Sequence, residues 1–185
     1  MAKGGLTKVT LEYEGRVTAL NTKPLTAAAL NGLLVTLVEG VNMVNAPVVA
    51  RERGIDVSEI SHERTANYKT LMRIAVVYDG GKFAIDGTLF GDKPRVTAIG
   101  DISLEAALAP RMLFIANEDK PGLIGGLGKL LGDAKVNIAN FHLGRNDAAT
   151  NAVALLEVDQ EVGDKLLRDI EKLPSVTEAR LLQFA

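Results

Sequence analysis

The residues of this sequence best suited to chemistry lie in one polar run, Asn117-Glu118-Asp119-Lys120-Pro121-Gly122, and in Asn137, some fifteen positions beyond it. Asp119 offers a carboxylate that can pair with an ammonium group. The backbone amides near Gly122 and Leu123 fall where an apolar helical pattern begins, and the start of a helix suits a carboxylate. Asn137 can donate and accept at once, so it suits a hydroxyl or a carboxylate. Purely local roles are equally open: Asp119 as a helix N-cap, and Asn137 as a turn residue before a strand. Pro121 presets the helix start and Gly122 permits close backbone approach, and neither function needs a ligand.

A second group is basic. Arg51 and Arg53 on a predicted helix, with Lys93 and Arg95 near the last turn of a predicted meander, could collect an anionic phosphate or carboxylate metabolite. The alternative is a solvated basic rim. His62 and His142 have no obvious nucleophile or carboxylate placed to act with them, and both read as surface or structural histidines. Gly126, Gly128 and Gly132 spell G-x-G-x-x-x-G, yet a leucine stripe runs through them and the next strand enters a tight hairpin instead of a second crossover. Close helix packing is the expected reason for these small residues.

With no cysteine among 185 residues, a disulfide framework, a thiolate nucleophile, an iron–sulfur cluster and a Cys-based zinc site are all excluded. Two isolated histidines argue against a His-based metal site. The 21 basic and 23 acidic residues are interspersed, so the net charge of −2 gives no electrostatic footprint for nucleic acid or anionic lipid. No membrane span is expected, because the most apolar stretch, 25–44, is interrupted by polar residues and two glycines. The opening Met1-Ala2-Lys3-Gly4-Gly5 lacks the apolar core of a signal peptide and reads as the end of a piece cut from a longer chain. A cytoplasmic location is the default expectation.

The elements that must position these groups fall into two halves, giving an α+β fold in two domains, 1–109 and 110–185. In the first, alternation predicts strands over 7–13 and 16–20 around Glu14-Gly15, then an alanine- and leucine-rich helix over 25–38. Being apolar nearly all round, that helix is expected to be buried on more than one side. Asn45 should cap a short second helix that Gly54 stops. From Val57 the period changes to two, and 68–78, 82–90 and 95–99 read as an antiparallel meander, followed by an extended stretch over 102–106. Proline at position 110 marks the boundary.

The second half alternates cleanly: strand 111–116, helix from Leu123, strand 136–143, strand 148–158, helix 162–173 and strand 175–184. Leu123, Leu127, Leu130, Leu131 and Ala134 make one helical face, and Val162, Leu166, Leu167, Ile170 and Leu173 another. The order βαββαβ is the ferredoxin-like split unit, with both helices on one face of a four-stranded antiparallel sheet. Such a sheet leaves an edge strand open for pairing with a twin across a two-fold axis.

The strand, the Asp-Lys-Pro-Gly turn, the amphipathic helix and Lys-Val-Asn-Ile at 135–138 together resemble an ACT domain. The preceding half is similar to the intervening, allosteric-substrate-binding domain of long-type D-3-phosphoglycerate dehydrogenases, in Leu20-Asn21-Thr22-Lys23-Pro24, Val41-Asn42-Met43-Val44-Asn45-Ala46-Pro47 and Arg53-Gly54-Ile55. Together the two resemblances cover essentially the whole chain. They imply the regulatory part of an NAD-dependent oxidoreductase acting at the first step of L-serine biosynthesis, often tetrameric, with L-serine bound between paired ACT domains. On this reading the present chain is not a catalyst and holds no cofactor; NAD belongs to the parent enzyme. The implied effector contacts are Asn117, Asp119 and Asn137, with Pro121, Gly122, Leu123 and Ile138 around them. Some members carry an aromatic residue or histidine in place of Asn117, and asparagine in place of Asp119. The partners expected are L-serine or a similar small amino acid and a second copy of the chain, as dimer or tetramer, with no nucleic acid and no membrane. Two other readings compete: a part resembling the β domain of an L-serine dehydratase, and an assembly module that binds no ligand.

Overall fold

The computed structural model describes residues 5–62 and 68–184. They form two compact units, Met1–Lys93 and Pro94–Ala185. The change of unit precedes Pro110 because the hairpin of β5 (Lys93–Ile99) and β6 (Ile102–Ala107) goes with the second unit, where β6 packs on a strand of the split βαββαβ sheet.

In the first unit, β1 (Leu6–Gly15) is followed by a single 3-10 turn, Arg16–Ala19, where alternation predicts a strand. The cause is local: Gly15 turns the chain at φ 74°, Thr18 Oγ1 donates to the Gly15 carbonyl at 2.8 Å, and Arg16 N–H is taken by the Lys69 carbonyl at 2.9 Å. Helix α1 (Lys23–Leu34) begins with Pro24 in its first turn and ends earlier than expected. It buries one stripe, Thr26, Leu30 and Leu34, while Leu25 is exposed, so burial on several sides does not occur. Helix α2 (Ala46–Glu52) starts at Asn45, but that side chain makes no cap bond; its Oδ1 accepts from Asn42 N–H at 2.8 Å. Gly54, at φ 70°, closes the helix.

The stretch after α2 forms a strand that the polar sequence disguises. β2 (Asp56–His62) pairs with β1 in parallel, in register from Lys8↔Asp56 to Glu14↔His62. A parallel pair needs a crossover, which α1 and α2 supply. β3 (Thr70–Tyr78) and β4 (Gly81–Phe90) continue antiparallel, giving the order β2-β1-β3-β4. One face of β1 presents Val9, Leu11 and Tyr13 to Leu30, Leu34, Ala46 and Ala50, which is the core of this unit. A polar chain running outward from the core helps to seat α1: buried Tyr13 OH donates to Thr26 Oγ1 at 2.8 Å, and Thr26 Oγ1 donates to the exposed Glu59 at 2.8 Å. Desolvation pushes the Tyr13 phenol above its ordinary pKa.

The opposite face is charged. Register carries Glu12 on β1 to Arg73 on β3 and Arg73 to Asp86 on β4, and Arg73 Nε lies 3.0 Å from Asp86 Oδ1. His62 on β2 lies 3.6 Å from Glu12, and ligand atoms of Glu12, Glu14 and His62 all fall within 4.8 Å of one another. The reading of His62 as lacking a carboxylate neighbour is therefore corrected, because the parallel pairing that brings Glu12 and Glu14 to it is not visible in a local pattern. The Asp86 side chain is 14% exposed. Burial raises its pKa, Arg73 opposes the rise, and Glu12 and Glu14 add to it. The folded state thus holds the Asp86 proton more tightly than the unfolded chain does. The stability this contributes is complete below the ordinary value of 3.8 and is lost as the pH rises through the raised value. Asp86→Asn should therefore gain stability relative to the parent sequence between about pH 3.8 and neutrality, as read by denaturant titration at each pH. A flat or opposite difference would contradict this assignment.

In the second unit the sheet is β7 (Arg111–Glu118), β8 (Ile138–Arg145), β9 (Asn151–Val158) and β10 (Val176–Gln183), in the order β10-β7-β9-β8 and antiparallel throughout. Helices α3 (Leu123–Asp133) and α4 (Asp164–Glu171) join Leu113, Ile115, Ala154, Leu156 and Ala179 in one core through Leu127, Leu131 and Ile170. This is the split βαββαβ arrangement expected from the sequence. β8 is the last strand of its sheet. Phe141 packs into the helix-side core, so alternation turns Gly144 to the other face, and there β6 crosses it.

Candidate functional site

The ends of β7 and β8 and the start of α3 enclose a hollow of about 450 Å³. Asn117, the penultimate residue of β7, lies on the same face as Leu113 and Ile115 and is only 3% exposed. Its Nδ2 donates to the Glu118 carbonyl at 2.7 Å, while its Oδ1 is buried with no hydrogen-bond partner among the described residues. A buried acceptor left unpaired costs about 1–3 kcal/mol, which a donor entering the hollow would recover. Asp119 follows, its backbone N–H bonded to the Thr150 carbonyl at 2.9 Å and its carboxylate 3.4 Å from Arg145 Nη1.

Asp119 is not the N-cap of α3. That position belongs to Gly122, at φ 110°, and no side chain caps the helix. The first-turn amides of Leu123, Ile124 and Gly125 therefore border the hollow without a side-chain acceptor. Pro121 closes one rim, and Leu143, Arg145 and Ala152 close the other. A group bearing both charges fits this lining: acceptors at Asn117 and Asp119, donors at α3 and Arg145.

Five of the seven expected effector contacts meet here: Asn117, Asp119, Pro121, Gly122 and Leu123. Asn137 and Ile138 do not, because they stand at the opposite end of β8. Five to eight residues of extended strand separate them from Leu143 and Arg145 in the lining, roughly 17 to 26 Å. The Asn137 side chain donates to Asp159 Oδ2 at 2.7 Å, and its backbone N–H to Gln160 Oε1 at 2.6 Å, so within one chain it serves as a structural turn residue. Sequence reasoning missed Arg145 by ending the strand at Leu143; alternation from Phe141 through Leu143 was the available signal.

The basic group is divided between the two units. α2, with Arg51 and the C-cap residue Arg53, packs beside α1 and β2 at one edge of the first unit, whereas Lys93 is the first residue of β5. Arg95 lies on β5, in the second unit. A second hollow between the end of α3 and the start of α4 is lined by Asp133, Glu161, Lys165 and Asp169, and among the described residues none of its side chains holds a buried unpaired polar atom. The glycine pattern gives no dinucleotide cradle, since Gly126, Gly128 and Gly132 lie inside α3 beside an antiparallel sheet. A Cβ at Gly126 would meet Leu173 at 3.0 Å, but at Gly128 and Gly132 it would meet nothing within 4 Å, so close packing explains only the first.

Comparison with known proteins agrees with these two architectures. Residues 1–100 match the D-3-phosphoglycerate dehydrogenase intervening domain, and residues 111–175 match the ACT domain. The chain is 31% identical over 180 residues to D-3-phosphoglycerate dehydrogenase of Bacillus subtilis, covering 95% of this chain and 34% of that protein. For the proteins of the same name in Methanocaldococcus jannaschii and Synechocystis, identity is 30% and 32%, over 98% and 97% of this chain and 34% and 33% of theirs. The chain thus spans about a third of the length of these curated relatives. With an intervening-domain match over more than half its residues and an ACT match after it, the chain belongs to the family of D-3-phosphoglycerate dehydrogenase regulatory regions.

Proposed function

We propose that this chain is the amino-acid-sensing and self-pairing region of an NAD-dependent D-3-phosphoglycerate dehydrogenase, with L-serine as its effector, and that catalysis and NAD binding reside in the rest of the parent protein. The intervening domain occupies 1–109 and the effector domain 110–185. The observation that carries this reading is the hollow at Asn117, where a buried, unpaired Oδ1 and the Asp119 carboxylate face the uncapped start of α3. An ammonium finds two acceptors there, and a carboxylate finds backbone donors.

The displaced Asn137 supports a paired site. β8 ends its sheet, with no strand on its outer edge among the described residues. If β8 pairs with its twin about a two-fold axis, the two strands run antiparallel, and the Asn137 end of one lies against the Arg145 end of the other. Each hollow then gains Asn137 and Ile138 from the second copy. Binding that bridges two copies favours the pair over single chains, and that difference is the lever through which occupancy reaches the rest of the parent.

Complementation tests both halves of the proposal. Asp119→Ala and Asn137→Ala should each bind L-serine far more weakly by calorimetry, while an equimolar mixture should regain up to one tight site per mixed pair. Should the mixture stay inert while the parent sequence binds, each site belongs to a single copy. Among the described residues no helix is long and apolar enough to cross a membrane; we assign the protein to the cytoplasm, where a biosynthetic dehydrogenase would meet its metabolites.

A further inference from the structure

Two cations border the hollow, and they are held differently. Lys120 Nζ sits 2.5 Å from Glu118 and is engaged. Arg145 reaches Asp119 through one nitrogen at 3.4 Å, with its side chain 67% exposed and Asp119 23% exposed. A guanidinium presents five donors in a planar fork, and a single long contact leaves most of that fork unused. The backbone beneath it is fixed: Asn146 Oδ1 accepts from Thr150 N–H at 3.0 Å and Asn151 N–H at 3.1 Å, and Asn146 N–H donates to the Asn151 carbonyl at 3.0 Å. A pinned Cα with a loosely held, exposed head describes a side chain that can change partner without moving the strand.

We infer that Arg145 is a specificity-determining residue of this site, exchanging Asp119 for the carboxylate of the ligand and so restricting the site to free α-amino acids; this rests on the amino-acid reading above. The exchange follows from charge. An ammonium arriving between Asn117 Oδ1 and Asp119 competes directly with the guanidinium for the same carboxylate. The released fork then meets a ligand carboxylate on the α3 side and can take it through two parallel hydrogen bonds. A zwitterion therefore breaks one ion pair and makes two. An amine without a carboxylate breaks the same pair and gives Arg145 nothing in return, so discrimination arises from the group left unpaired as well as from the one engaged.

The test compares L-serine with L-serinamide, which keeps the ammonium and hydroxyl but lacks the carboxylate, by calorimetry on the whole chain and on Arg145→Ala, Arg145→Gln and Arg145→Lys. Losing a charge-assisted bidentate contact should cut L-serine affinity on the order of ten- to a hundredfold in Arg145→Ala and Arg145→Gln. Serinamide binding should stay level or tighten, because Asp119 is no longer occupied. The affinity ratio between the two ligands therefore collapses, with Arg145→Lys in between. Circular dichroism should show all three variants folded, as an exposed side chain carries little of the core. A ratio unchanged by Arg145→Ala and Arg145→Gln would overturn the inference and leave the carboxylate to α3 alone. Failure of the parent sequence to bind L-serine at all is a different result, and it removes the amino-acid reading itself.

Discussion

Gly144→Ala will destabilise the second unit by on the order of 3 kcal/mol and lower its unfolding midpoint by roughly 15 °C. A Cβ at this position would lie 2.3 Å from the Ser103 carbonyl oxygen, 2.9 Å from Ile102 Cγ2 and 3.0 Å from Leu104 Cβ. The first of these is backbone, so no rotamer change relieves it, and β6 has to lift away from β8. The cost falls on the whole hairpin, because Ile102, Leu104 and Ala106 are buried along β6. Gly128→Ala is the natural control. It lies exposed in the middle of α3 with nothing within 4 Å, and alanine there should add about 0.8 kcal/mol through helix propensity. Thermal unfolding of the two variants should move in opposite directions; a neutral Gly144→Ala would mean that β6 does not rest on β8.

Asp119→Ala should lower L-serine affinity about a hundredfold, or about 2.7 kcal/mol, with little change in stability. Among the described residues its carboxylate is the one formal negative charge lining the hollow, so it is the ionic partner for an ammonium there. Structurally the side chain contributes one long ion pair to Arg145, an exposed contact of small energetic weight. What holds the loop in place is backbone: Glu118 N–H to the Ser175 carbonyl and Asp119 N–H to that of Thr150, both at 2.9 Å. Alanine keeps both bonds. Calorimetry and thermal unfolding together check the claim, and a variant that binds normally would move the ammonium site away from Asp119.

The split βαββαβ unit was legible because each element carries its own period and punctuation. The stripe through Leu123, Leu127 and Leu131 announces a helix that buries those residues, although Ala134 at its end is exposed, and the strand read over 148–158 is present from Asn151. β2 was not legible. Its residues Asp56, Ser58, Glu59 and Ser61 are polar because it is an edge strand whose pairing is made by backbone, and parallel pairing across two helices leaves no local signal. At the candidate site, the residue types in 117–123 were readable as donors and acceptors, but two decisive facts were not. Burial of Asn117 to 3% depends on core packing around the end of β7. The approach of Arg145 to Asp119, 26 positions apart, depends on β7 and β8 ending side by side across β9.

Serine has about seven heavy atoms, so at the ceiling of roughly 1.5 kcal/mol per atom its binding cannot exceed about 10 kcal/mol, and micromolar affinity is near the practical limit. That range suits calorimetry. The decisive measurement is a titration of the purified chain with L-serine, with D-serine, glycine and alanine alongside. Saturable binding that favours L-serine over D-serine and is weakened about a hundredfold in Asp119→Ala is the result predicted for an amino-acid sensor built on this hollow. No binding heat with any of the four would contradict that function and leave a self-pairing module in its place.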